Sequence, residues 1–158
     1  KRAVQTAVLA SGLPIEAIEI INELAEIDLG TWEGQTVAEI EQHFPGAYEE
    51  RGRNLAQYRP QCGESFADLT NRVCPALFEL AGQDSGPLLI VAHAGVNRVL
   101  LSRLLQRPLQ RLLEIPQDYG AVNILRRTAQ GIEVRAINLV GRLPSPHSFI
   151  TAAPGDSI

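Results

Sequence analysis

The sequence predicts an α/β layered domain, and three features carry that expectation. The apolar run Leu88–Ala92 passes directly into a helical pattern, apolar residues recur at helical spacing over Ser65–Ala81, and two alternating segments near the C-terminus are joined by a turn. A short, continuous apolar run is the pattern of a central parallel strand buried on both faces. Strands interleaved with helices then give stacked α and β layers. At 158 residues the chain suffices for a single domain with one sizeable core.

Taken in order, Arg2–Ser11 reads as the end of a helix, with Val4, Ala7, Val8 and Ser11 on one face and Gly12 and Pro14 as the stop. "AIEIINEL", residues 17–24, is short and β-branched and reads as a strand or extended segment. "AEIDLGTWEGQ" carries two glycines around Trp32 and reads as a loop. "TVAEIEQHF" starts a helix with Thr36 as N-cap and Glu39 closing a capping box, and Pro45-Gly46 ends it. Residues 48–63 are polar, arginine-rich and irregular, the composition of a lid or rim. The helix over Ser65–Ala81 presents Phe66, Leu69, Val73, Leu77 and Leu80 at steps of three and four, and Pro75 inside it predicts a kink.

After the strand Leu88–Ala92 come the helix "VNRVLLSRLLQ" and a shorter helical piece, "PLQRLLEI". "AVNILRR" and "IEVRAIN", joined by Thr128–Gly131, read as a β-hairpin. Residues 141–158 are rich in proline and glycine and read as an extended tail, leaving 1–140 as the domain.

Composition narrows the function classes. The chain is 45% hydrophobic and 20% charged, with a formal charge of −4, so no basic footprint points to nucleic acid. No apolar stretch approaches the ~20 residues a membrane helix needs, and no signal peptide is visible at the start. Cys62 and Cys74 have neither metal-ligand nor redox spacing and read as thiols in a reducing cytoplasm, the expected location. Glu26, Asp28 and His93 lack ligand-type spacing, so no metal or other cofactor is expected.

The chemistry concentrates at His93. In open α/β sheets, sites form at the carboxyl ends of strands, and His93 ends one. Ala94-Gly95 allows close passage of the backbone, and the following helix directs free N–H groups to the same place. The residues therefore describe a phosphate or carboxylate cradle with a histidine on its wall. A hydrogen-bonded core histidine is the competing reading, and this pattern alone leaves both open.

Four segments in register alter that balance: "KRAVQTA", "LAEIDLGTWEG", "GESFADLTNRV" and "VAHAGVNRVLL". Together, up to about Asn138, they resemble the histidine phosphatase, or phosphoglycerate-mutase-like, superfamily. "LGTWEG" and "IPQDYGAVNIL" look more like its α-ribazole phosphatase and broad phosphatase branch than the glycolytic mutase. The resemblance implies a three-layer sandwich with a mostly parallel central sheet flanked by helices. It also implies a metal-independent phosphomonoesterase that works on a small phosphorylated metabolite through a phosphohistidine.

Carried over residue by residue, Arg2 matches the arginine that grips phosphate, a task suited to a planar guanidinium fork. Glu26 matches the acid that protonates the leaving oxygen, with Glu23 and Glu33 as exposed competitors in the same segment. His93 matches the histidine that stabilises the transferring phosphoryl group, and the Ala94 N–H would join it. Most relatives have glycine at the position of Ala94. Asn97 and Arg59 are candidate substrate contacts, Arg59 with Arg51 and Arg53 at the mouth. Asn97 and Arg98 could equally cap or cover the helix. Glu64 and Ser65 fit a structural start to the long helix, with Ser65 as N-cap. Trp32 reads as packing under its loop, and His43 and His147 as surface residues.

The family's arginine-histidine-glycine triplet, which ends its first strand and carries the nucleophile, is absent from these 158 residues, as is any methionine. The expectation is a longer protein in which a preceding segment supplies both strand and nucleophile, the 158 residues alone being inactive. Alternatives are a non-catalytic phosphate-binding relative, a strand supplied by another chain, and a phosphoglycerate mutase. A homodimer is a further candidate arrangement.

Overall fold

A computed structural model describes residues 1–83 and 86–141. The chain forms two units, Lys1–Ile115 and Pro116–Ile158. In the first, α1 (Arg2–Ser11) ends at Gly12, whose left-handed φ of 69° turns its N–H back onto the Val8 carbonyl. Of the two readings of 17–24, strand or extended segment, the strand is not formed, and 3-10 turns at Ile15–Ala17 and Asn22–Leu24 flank residues 18–21. Ile18 and Ile21 have extended backbone, but β-branched residues form a strand only where a neighbouring strand pairs with them.

α2 (Val37–His43) begins as its sequence predicts. The Thr36 hydroxyl accepts the Glu39 N–H at 3.3 Å, and Glu39 Oε2 accepts the Thr36 N–H at 2.8 Å. α3 (Ala47–Arg53) lies inside the stretch expected to be irregular. Glu49 and Glu50 in its first turn and Arg51 and Arg53 in its last complement the helix dipole, and Glu49 pairs with Arg53.

α4 (Phe66–Gly82) starts at Ser65, whose hydroxyl accepts the Asp68 N–H at 3.1 Å while Asp68 Oδ2 accepts the Ser65 N–H at 2.8 Å. Its apolar face packs against α5 (Ala94–Leu104), and the 3-10 segment Leu109–Glu114 covers α5 in turn. Leu69, Val73, Val96, Val99, Leu112 and Ile115 are 0% exposed and form the centre of this core. Burial of each side chain contributes roughly 1.5–3 kcal/mol before entropy is counted.

The mostly parallel central sheet, and with it the three-layer sandwich, is not present among the described residues. Leu88–Ala92 is not a strand there, and Leu88, Leu89 and Ile90 are 46%, 62% and 37% exposed. A sheet is a ladder between neighbours, and no described segment pairs with this run.

The described part of the second unit holds the expected hairpin. β1 (Val122–Thr128) pairs antiparallel with β2 (Gly131–Leu139), with Arg126 opposite Glu133 and Thr128 opposite Gly131. The register shifts between Val122 and Leu125. Nearby, the Asn138 amide accepts the Asp118 N–H at 2.7 Å and donates to Asp118 Oδ2 at 2.8 Å. Residues 142–158 of the expected tail, His147 among them, lie outside the described residues.

Candidate active site at the amino end of α5

His93 is the N-cap of α5, with extended backbone (φ −122°, ψ 165°), and its carbonyl accepts the Asn97 N–H at 2.9 Å. The N–H groups at the start of α5 have no acceptor within the helix. One of them is taken: Glu26 Oε2 accepts the Gly95 N–H at 3.2 Å, and Glu26 Oε1 accepts the Ile27 N–H at 3.0 Å. The Glu26 carboxylate thus sits at the positive end of the helix dipole, on the helix that His93 caps, and both residues are half-buried. A Cβ on Gly95 would lie 2.4 Å from Glu26 Oε1, so glycine is what lets the carboxylate reach the backbone.

The loop that carries Glu26 is held by one side chain of α4. Arg72 Nη1 donates to the Glu23 carbonyl at 2.7 Å and the Ala25 carbonyl at 3.1 Å, and Nη2 to the Glu26 carbonyl at 3.4 Å. Its Nε and Nη2 donate to Glu64 Oε1 and Oε2 at 2.9 and 2.7 Å. Every N–H of the guanidinium therefore has an acceptor. Glu64 completes the frame: Oε2 accepts the Asp28 N–H at 3.1 Å, and the Glu64 N–H donates to the Asp28 carbonyl at 2.7 Å. The Arg72 hydrogen bonds hold the Glu64 carboxyl below the usual carboxylate range, and Glu64 raises Arg72 in return.

Farther along, the Thr31 N–H donates to the Gln61 carbonyl at 2.9 Å. Gly30 has φ of 56°, and a Cβ there would lie 2.2 Å from that carbonyl oxygen, so the two backbones touch with no space for a side chain. Leu29 and Gly30 donate to Glu33 Oε1 at 2.9 Å and Asp28 Oδ1 at 2.7 Å. Glu33 is thus a local cap, and Glu23 is exposed.

Arg59 is directed at α4. Its Nε and Nη2 donate to Asp68 Oδ2 and Oδ1 at 2.9 and 2.6 Å. The Ser65 hydroxyl and N–H, followed by Arg59, lower the Asp68 carboxyl to about 2. Trp32, 3% exposed, packs beneath 48–58 with ring centroids 6.3 Å from Tyr48 and 5.6 Å from Tyr58. The Arg51 guanidinium lies 5.2 Å from the Phe66 ring centre and 6.0 Å from that of Trp32, and burial lowers it.

Of the residues singled out from sequence, the structure brings together Glu26, His93 and Ala94, with Asn97 one turn into α5. Arg2 is exposed on α1 and, among the described residues, makes no hydrogen bond or ion pair to Glu26 or His93. Arg98 Nε donates to the Ile115 carbonyl at 3.0 Å. His43, exposed on α2, pairs its Nδ1 with Gln35 Oε1 at 3.1 Å. Cys62 and Cys74 are free thiols, and no group of three His, Cys, Asp or Glu among the described residues could hold a metal ion. No helix among them is long and apolar enough to cross a membrane.

Sequence reading named Gly95 as a point of close backbone passage without its bond to Glu26, and it missed Arg72. The available signal for Arg72 was its place near the start of the helix that Ser65 caps, eight residues after Glu64.

The profile of the Histidine phosphatase superfamily (branch 1) matches residues 1–140. Among curated proteins, bovine 6-phosphofructo-2-kinase/fructose-2,6-bisphosphatase 1 is 35% identical over 139 residues, 88% of this chain and 28% of that protein. The chain thus spans about 28% of the length of this curated relative. Among solved structures, Bacillus stearothermophilus YhfR is 32% identical with a TM-score of 0.77, covering 89% of this chain and 70% of that one. The α-ribazole phosphatase of Shigella flexneri is 27% identical with a TM-score of 0.76, covering 90% and 72%.

Proposed function

We propose a metal-independent phosphomonoesterase of small metabolites: the chain belongs to branch 1 of the histidine phosphatase superfamily, and a carboxylic acid at the amino end of the helix that follows His93 supports this reading. The observation that carries the proposal is the Glu26 carboxylate seated on the first turn of α5, two residues after the N-cap His93, with Gly95 N–H donating to Glu26 Oε2 at 3.2 Å. The reading takes the nucleophilic histidine from a segment preceding Lys1. That histidine attacks phosphorus, a P–N bond forms as the ester P–O bond breaks, and Glu26 gives its proton to the departing oxygen. His93 and the Ala94 N–H hold the charge on the phosphoryl oxygens. Glu26, now a carboxylate, takes a proton from water as the water attacks phosphorus; the P–N bond breaks and inorganic phosphate leaves.

A fructose-2,6-bisphosphatase and an α-ribazole phosphatase among the similar proteins support a small phosphorylated metabolite as substrate. Arg2 is proposed to grip its phosphate and Asn97 to contact the remainder. Arg59 is engaged by Asp68, so its part in substrate binding requires that pair to open.

The test extends the chain with its upstream coding sequence and measures p-nitrophenyl phosphate hydrolysis with chelator present, together with acid-labile phosphoenzyme. Turnover insensitive to chelator is expected. His93→Ala is expected to cut kcat by about 100-fold or more. Neither turnover nor phosphoenzyme in the extended protein would leave a non-catalytic anion-binding module. Transfer between phosphoglycerates that depends on bisphosphoglycerate would make it a mutase.

A further inference from the structure

We infer that Arg72 is a positioning residue for proton transfer: it shapes the loop so that Glu26 is seated on the Gly95 N–H. This rests on the reading of Glu26 as the acid. Loop residues 25–29 have no helix or sheet to define their path. Three of the carbonyls bracketing Glu26, at residues 23, 25 and 26, are fixed by one guanidinium. The fourth fixed carbonyl, at Asp28, is held by the backbone of Glu64, the residue whose carboxylate Arg72 also orients.

The guanidinium is only 25% exposed and the Glu64 side chain 23%. Such a partly buried bidentate pair is less screened than a surface ion pair and defines a direction as well as a distance. Arg72 comes from the second turn of α4, where its neighbours Leu69 and Val73 are 0% exposed, so its base does not move. Lysine would keep the charge but has only three donors on one atom and cannot serve two carboxylate oxygens and three separate carbonyls.

An ordinary ion pair stabilising loop and helix would affect every substrate alike. A residue that aims the acid affects formation of the phosphohistidine, read by kcat/KM, only where the leaving group needs a proton. Loss of Glu26 as base in the later hydrolysis slows kcat for both substrates. The test compares Arg72→Lys and Glu26→Gln in the extended, active protein on two substrates. One is p-nitrophenyl phosphate, whose leaving group departs without a proton. The other is an alkyl phosphate, whose leaving group needs one.

For Arg72→Lys the expectation is a kcat/KM loss of about 30-fold on the alkyl ester and under about threefold on the nitrophenyl ester, and the losses compared below are losses in kcat/KM. Glu26→Gln is expected to show the same selectivity more strongly. The double variant should be no slower than Glu26→Gln alone, since the two act as a unit. Glu64→Gln, a milder change to the same frame, should show a smaller loss of the same pattern.

In the 158-residue chain, the Gly95 amide resonance should move in the same direction in Arg72→Lys and Glu26→Gln, with the Leu112 and Ile115 amides unmoved. Equal losses on both substrates in Arg72→Lys, or losses that multiply in the double variant, would overturn the inference while leaving Glu26 as the acid. Glu26→Gln without leaving-group selectivity would remove the acid reading and this inference together.

Discussion

Two segments lead into the candidate site, residues 25–29 and residues 88–92, and they are held in opposite ways. The first has two acidic residues among five and no regular structure, yet its backbone is fastened by Arg72, Glu64, Glu33 and Asp28. The second, Leu-Leu-Ile-Val-Ala, has strong strand character, yet among the described residues it pairs with nothing and leaves leucine and isoleucine in water. Partners, not local preference, decide whether a segment is fixed. A polar loop with donors aimed at each carbonyl is better defined than an apolar run without a ladder.

The largest test of that contrast is Gly30→Ala, which puts a methyl group 2.2 Å from the Gln61 oxygen at a left-handed backbone position. It is expected to cost ~3 kcal/mol or more in urea unfolding, and an unchanged midpoint would show that the polar segment is not locked as described. Next is Gly95→Ala. The added methyl meets a carboxylate at the end of a flexible side chain, so the fold should lose no more than ~1 kcal/mol. Displacing Glu26 should nevertheless slow alkyl phosphate hydrolysis by about 30-fold, or ~2 kcal/mol of barrier. Equal losses of stability and rate would separate Gly95 from the chemistry.

Asp68 sharpens the comparison through pH. Its carboxyl is lowered from 3.8 to about 2, so the folded state binds the proton more weakly than the unfolded state. Its contribution is present above the ordinary value and is lost as pH falls through about 2. Because the side chain is 31% exposed, ~1 kcal/mol survives screening. Asp68→Asn should be less stable than the wild type by that amount at neutral pH and should converge with it in acid, as read from urea midpoints between pH 6 and 2. In the 158-residue chain by itself, the smallest effect is expected from Leu89→Lys. Its side chain is 62% exposed, and the change should stay within ~0.5 kcal/mol; a larger destabilisation would mean that 88–92 is covered in solution.

Much of the local structure was legible. Thr36 with Glu39 announced α2, Ser65 announced α4, and the alternation of 121–138 announced the hairpin, because caps and alternation act over a few residues. His93 before Ala94-Gly95 marked a helix N-terminus for the same reason. α3 was missed because its helical signal is charge order instead of apolar spacing, Glu49 and Glu50 leading and Arg51 and Arg53 following. The apolar run 88–92 was read as a strand because hydrophobicity indicates what a segment can do with a partner and is silent on which partner it has.

The sequence by itself determined where α2 and α4 begin and that a helix N-terminus follows a histidine, since these depend on neighbours within one or two turns. Only the tertiary structure decided that Glu26 reaches Gly95, 69 residues away, and that Arg72 holds the Glu26 carbonyl, 46 residues away. Hydrogen bonds between side chain and backbone at such separations leave no periodicity in the sequence. They exist because burial of Leu69 and Val73 on α4 against Val96 and Val99 on α5 holds two helices at a fixed distance, and the loop between their ends has one way to satisfy its polar groups.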